Sequence, residues 1–203
     1  MSLIQVGGFT LVELLVSIGI FVFMTTLLVG KFGSFNQSVL LTDAAYDLAL
    51  NIRTVQSYGL SVRANSAQNY QVNYGASFDR IGTDICETSD SIHNFFSYAT
   101  TNSNGTFNRS VDSKVATYRF KNGVYISNLK YVQNGASSVQ TDSIELGFVR
   151  PNPDALISSR MDPCGANTTI NNLDAAQIVL SNSNNTESRT VYVNKVGRIY
   201  VSQ

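Results

Sequence analysis

Phe9 to Gly30 reads FTLVELLVSIGIFVFMTTLLVG. Leu14 to Val29 carries no charge, and with Phe9 to Val12 the stretch reaches the roughly 20 residues that cross a bilayer as a helix. Glu13 is the one ionisable side chain before Lys31, and every Lys and Arg lies at Lys31 or beyond. This asymmetry predicts a membrane segment first and a water-soluble part after it. A secretory signal peptide would need a basic start and a small-residue cleavage site behind the apolar run. Here the small pair Gly7-Gly8 stands in front of the run, and nothing like Ala-x-Ala follows Val29. A plain anchor leaves Glu13 without a reason. Insertion scales put an acidic residue at the centre of a membrane helix at roughly 2.5–3.5 kcal/mol, less near its end, so the carboxylate is a functional residue by default and wants a cation.

The rest of the composition agrees with a secreted, loop-rich head. The 203 residues suffice for one medium domain plus an anchor. With 14 basic and 14 acidic residues, no bulk field attracts nucleic acid or anionic lipid. Only 14% of the residues are charged, against roughly 25% in ordinary globular proteins, and Asn, Ser, Thr and Gly fill the difference. Trp is absent, so ten Tyr and eleven Phe supply the bulky side chains for strands.

Gly8-Phe9-Thr10-Leu11-Val12-Glu13-Leu14-Leu15 resembles the N-terminus of type IV pilins and type II secretion pseudopilins. It has a Gly before the cut, a Phe after it, a Glu at the fifth mature position and an apolar run beyond. The resemblance implies a leader at residues 1–8, cut between Gly8 and Phe9 by a prepilin peptidase that then methylates the new amino group. It implies that Glu13 pairs with the N-terminal ammonium of a neighbouring subunit. Two charges that are each costly in hydrocarbon then neutralise one another and set the axial register. The implied partners are the peptidase, the membrane and the other pilins of the filament. The implied location is the cytoplasmic membrane, single-pass, with the head outside and assembled into a pilus or a periplasm-spanning pseudopilus. Met1 to Gly8 departs from the family's leaders in having no Lys or Arg, so the positive-inside rule has only the chain's own amine to act on there.

Residues 9–30 are thus the polymerisation helix, and the helical period predicts that it continues over 31–63. Leu41, Ala45, Leu48, Ile52, Val55 and Val62 share one face, with Gly59 completing the step, while Asp43, Asp47, Asn51 and Arg53 occupy others. Gly30 and Gly33 weaken the helix by about 1 kcal/mol each relative to Ala. Residues 64–203 read as a β-rich head. Strands are expected at Asn69–Tyr74, Val115–Phe120, Val124–Val132, Ser143–Val149, Gln177–Ser181, Arg189–Asn194 and Arg198–Ser202. Asp79 to Arg109, including the aromatic run Phe95–Tyr98, reads as a variable loop region. Asn122-Gly123 is a two-residue hairpin signal, and Asn134-Gly135, Asn182 to Ser188 and Lys195–Gly197 mark further turns. The expected fold is α+β: a long N-terminal helix, half transmembrane and half amphipathic, resting on an antiparallel sheet or small sandwich.

The pattern Ile144-Glu-Leu-Gly-Phe-Val-Arg-Pro, then Gln177-Ile-Val-Leu-Ser and Arg189-Thr-Val-Tyr-Val-Asn-Lys-Val-Gly-Arg-Ile-Tyr-Val, resembles the H-type minor pseudopilins and related fimbrial minor pilins. Some relatives take up DNA with a basic tail. Here Lys195 and Arg198 stand alone beside Tyr200, too few cations to neutralise a phosphate backbone. The expected function is that of a minor pilin or pseudopilin subunit, no enzyme. The alternative is a minor pilin acting as a binding module for a surface, a secreted substrate or DNA. In an extracytoplasmic head, Cys86 and Cys164 would form a disulfide, although their spacing differs from the C-terminal loop of major pilins. His93, with Cys86, belongs to no catalytic motif. Asp79, Asp84, Glu87 and Asp90, and again Asp162, Asn167, Asn171 and Asp174, are oxygen-rich clusters open to Ca²⁺, yet neither has EF-hand spacing and such clusters are mostly turns. No cofactor is otherwise expected.

Overall fold

The computed structural model describes residues 9–61, 63–64, 69–80, 95–108, 111–160 and 169–202, with backbone alone at 29–35. Two compact units divide the chain, Met1–Val39 and Leu40–Gln203. Helix α1 is assigned over Leu11–Leu60. In the first unit every large apolar side chain from Leu11 to Leu28 is more than half exposed.

The second unit is built on the amphipathic turns of α1. Leu41, Ala45, Leu48, Ala49, Ile52 and Val55 are buried, the face that the 3.6-residue period marks out, while Val62 lies outside the described residues. Gly59 extends that face for a steric reason. A Cβ there would stand 2.6 Å from Phe148 Cβ and 2.8 Å from its carbonyl oxygen, so only glycine lets the last turn approach this strand. Gln56 Nε2 donates to the carbonyls of Pro153 (2.9 Å) and Gly197 (3.1 Å), and Arg53 Nη2 to that of Ile199 (3.1 Å). These bonds tie the helix to the segment before Ala155 and to the C-terminal hairpin.

Among the described residues eleven strands follow: β1 (Asn73–Asp79), β2 (Phe95–Thr100), β3 (Ser113–Tyr118), β4 (Tyr125–Val132), β5 (Val139–Thr141), β6 (Ser143–Phe148), β7 (Ala155–Arg160), β8 (Thr169–Ile170), β9 (Ala175–Ser181), β10 (Ser188–Asn194) and β11 (Ile199–Ser202). They form a six-stranded sheet, β3-β2-β1-β6-β7-β8, and a five-stranded sheet, β11-β10-β9-β4-β5. Every described pairing is antiparallel. The fold is α+β as expected, but the head holds two full sheets and exceeds a small one. The helix face, Tyr74, Phe78, Ile144, Leu146 and Phe148 from the first sheet, and Ile126, Leu129, Ile178, Leu180 and Val191 from the second meet in one core.

Three expectations need correction. Phe95–Tyr98 is no loop. It is β2, a strand buried along its whole length, with Phe95 in the main core and Phe96 and Tyr98 on the opposite face against Phe107. The first strand starts at Asn73 rather than Asn69 and runs to Asp79, while β5, β7 and β8 stand where no strand was expected. Asn122 (φ 58°) and Gly123 (φ 75°) do make a tight turn, closed by Val124 N–H to the Lys121 carbonyl at 3.1 Å. That turn joins no hairpin, because β3 and β4 belong to different sheets. Turn chemistry is local; which strand pairs with which is decided by burial.

Candidate functional site

The candidate site is the start of α1. Thr10 caps the helix: its hydroxyl accepts Glu13 N–H (3.3 Å) and its carbonyl accepts Leu14 N–H (3.1 Å). Thr10-Leu11-Val12-Glu13 is therefore a capping sequence of the Ser/Thr-x-x-Glu kind, with Glu13 at the third helical position. The carboxylate stands where unpaired N–H groups give the helix its positive end, a placement that favours an anion by a few tenths to 1 kcal/mol. The sequence reading passed over this role, though Thr followed three residues later by Glu announces it.

The other polar side chains in the apolar stretch are satisfied within the helix. Ser17 Oγ donates to the Glu13 carbonyl (2.8 Å), Thr25 Oγ1 to those of Phe21 and Val22 (both 2.9 Å), and Thr26 Oγ1 to that of Val22 (2.8 Å). Bonded to carbonyls three or four residues back, these hydroxyls are tolerable in a lipid-facing helix. Leu11–Leu28 is long and apolar enough to cross a membrane, and Glu13 is its only ionisable side chain. Phe9, just before the cap, is exposed.

Gly8, Cys86, Cys164 and His93 lie outside the described residues, as do Asp84, Glu87, Asp90, Asp162 and Asn167. Asp79 closes β1, opposite Ser143. Asn171 is exposed in the connection after β8. Asp174 has a structural task. It takes the Lys195 ammonium on Oδ1 (2.6 Å) and Gly135 N–H on Oδ2 (3.2 Å), which pins two turns to the start of β9. The Lys195 hydrogen bond, then that of Gly135, holds its carboxyl below the ordinary 3.8. Among the described residues no group of three or more His, Cys, Asp or Glu converges as a metal site would require. Compared with known proteins, the chain matches no family model, no curated protein and no solved structure.

Proposed function

We propose that the chain is a pilin-like subunit. A prepilin peptidase cleaves it between Gly8 and Phe9 and methylates Phe9. Leu11–Leu28 holds it in the cytoplasmic membrane with the β-rich head outside, and it takes a minor position in a type IV pilus or a type II secretion pseudopilus, nearest the H-type subunits. One observation carries this reading: an apolar helix with its whole surface open has its sole carboxylate in the first turn, four residues from the new amino terminus. An ammonium at Phe9 would add positive charge to a helix end that is already positive, so a neighbour's Glu13 is a favourable place for it. Mass spectrometry of the native chain should find a mature N-terminus at methylated Phe9, and Gly8→Val should accumulate as the membrane-held precursor. A native terminus at Met1 or beyond Val29, or normal maturation of Gly8→Val, would overturn the reading.

An extracytoplasmic head should also carry the Cys86–Cys164 bridge, and the strand register supports it. Asp79, the last residue of β1, and Arg160, the last of β7, both lie opposite Ser143 of β6. The two chain segments that lead to the cysteines therefore leave the sheet from the same end, two strand spacings or about 10 Å apart. Six residues lie between Asp79 and Cys86 and three between Arg160 and Cys164. Both cysteines can thus reach the Cα separation of about 4.4–6.8 Å that a disulfide needs. Closing this loop would remove denatured-state entropy worth roughly 4 kcal/mol in the chain model. Non-reducing peptide mapping of the native protein should yield one linked pair; two free thiols would refute it.

A further inference from the structure

Two turns of the head repeat one five-residue pattern. Asn102-Ser-Asn-Gly-Thr106 lies between β2 and β3, and Asn182-Ser-Asn-Asn-Thr186 joins β9 to β10. The hydrogen bonds repeat with the sequence. In each turn the carbonyl of the first asparagine accepts the N–H of the fourth residue, Gly105 (3.1 Å) or Asn185 (2.9 Å). That fourth residue takes a left-handed backbone, φ 68° at Gly105 and 55° at Asn185, which glycine and asparagine tolerate best. The first asparagine also holds the threonine: its Nδ2 donates to Thr106 Oγ1 (2.8 Å) or to Thr186 Oγ1 (2.9 Å). Its Oδ1 accepts a backbone N–H of the turn, from Asn104 (3.1 Å) in one and from Thr186 (3.0 Å) in the other. The first, fourth and fifth positions of the pattern are therefore accounted for by the fold.

The third position is not. Asn104 and Asn184 are both exposed, and none of the bonds that shape the turns uses their side chains. The Asn104 amide group has no hydrogen-bond partner among the described residues. Each of these asparagines begins an Asn-x-Thr triplet without a proline in the middle, the pattern at which N-linked saccharides are attached. A chain rich in Asn and Ser produces such triplets by chance, and others begin at Asn36, Asn108 and Asn167. Geometry sorts them. Asn36 lies inside α1, away from any turn, and the triplets at Asn108 and Asn167 extend outside the described residues. Asn104 and Asn184 instead sit in tight surface turns. In the bonds from Asn102 and Asn182 the threonine hydroxyl only accepts, so its own proton stays available to a transferring enzyme.

We infer that the native protein carries N-linked saccharides on Asn104 and Asn184. The inference rests on the extracytoplasmic head proposed above, since that is the side on which a lipid-carried saccharide is transferred to protein. In the transfer, the asparagine Nδ2 forms a bond to the anomeric carbon of a saccharide carried on a lipid diphosphate. The anomeric C–O bond breaks, the lipid diphosphate leaves with its electron pair, and the nitrogen gives up one proton. Glycopeptide mass spectrometry of the full chain from native membranes is the test. The peptides that contain Asn104 and Asn184 should each bear a mass that fragments as sugar units. Asn104→Gln should remove one of the two and Asn184→Gln the other. Thr106→Ala should lose the saccharide at Asn104, Thr106→Ser should keep it, and so should Ser103→Ala, just outside the triplet. The same spectra read the mature N-terminus, which separates the two readings. A chain that begins at methylated Phe9 with bare asparagines overturns this inference alone. A chain that begins at Met1 overturns the assembly reading, and the inference then stands only if both asparagines still carry saccharide. It is overturned if either peptide is wholly unmodified, or if the sugar is found on serine or threonine hydroxyls instead.

Discussion

Gly147→Val should lower the melting temperature of the β-rich unit by roughly 6–12 °C. The position is the last but one of β6, paired with Gly75 on one side and Leu156 on the other. A Cβ at Gly147 would stand 2.6 Å from the Gly105 carbonyl oxygen and 2.8 Å from Gly105 Cα. The obstacle is backbone, so no rotamer change relieves it. The Gly105 segment cannot simply lift, because several contacts hold it down. Tyr98 Oη donates to the Gly105 carbonyl (2.7 Å), Phe107 N–H donates to Glu145 Oε2 (3.3 Å), and the Phe107 ring packs on Phe96 and Tyr98 with centroids 5.0 and 5.1 Å away. Glu145 in turn holds Arg160 (3.3 Å), so displacing the segment exposes a buried ion pair as well. Overpacking of this kind costs about 3 kcal/mol, and a unit of this size melts about 2–4 °C lower per kcal/mol. Gly19→Ala, which has no heavy atom within 4 Å of the new Cβ, serves as the control and should leave the melt unchanged. Near-UV circular dichroism of the full chain follows the tyrosines through the transition. A Gly147→Val melt within about 2 °C of the native one would show that the segment over this sheet is not packed as described.

That same two-sided burial explains where the sequence was legible. The helix face Leu41–Val55 and the strands β4, β9 and β10 could be read because each has one side in the core and one in water, so apolar residues recur at 3.6 or at 2. The strands β1, β2, β6 and β7 are buried on both faces over most of their length. β2 (FFSYAT) and β6 (SIELGF) are buried throughout, and in β7 (ALISSR) the serines Ser158 and Ser159 are buried too. No alternation survives there; β6 was nevertheless expected, at Ser143–Val149, whereas β7 reads as polar because Ser159 Oγ meets Thr141 Oγ1 at 2.6 Å inside the sheet instead of facing water. The start of α1, in contrast, depends on four consecutive residues and was open to inspection throughout.

On the proposed assembly reading, Glu13→Val should reduce incorporation into filaments by two to three orders of magnitude while leaving the head's melt as it was. The head is indifferent for a plain reason: among the described residues its hydrophobic core begins at Leu41, about seven to eight helical turns along the chain from Glu13. The local helix changes little either, since the bond from residue 13 to Thr10 Oγ1 uses the backbone N–H, which Val retains. Losing the carboxylate from the helix's positive end accounts for at most about 1 kcal/mol. On the assembly reading the larger loss is intermolecular. The ammonium of the adjoining subunit keeps its charge in hydrocarbon and loses its counter-ion, and breaking such a buried pair costs about 3–5 kcal/mol. Glu13→Gln separates the two roles. Gln serves as well as Glu in a capping sequence but carries no charge, so it should fail to assemble almost as badly as Val. Glu13→Asp, charged but shorter, should retain part of the function. Crosslinking and copurification with the other pilins of the same cell provide the readout. If Gln assembles normally and Val does not, the residue acts as a helix cap. If Val itself assembles normally, packing of the open face of Leu11–Leu28 is enough to dock the subunit, and the carboxylate has no part in it.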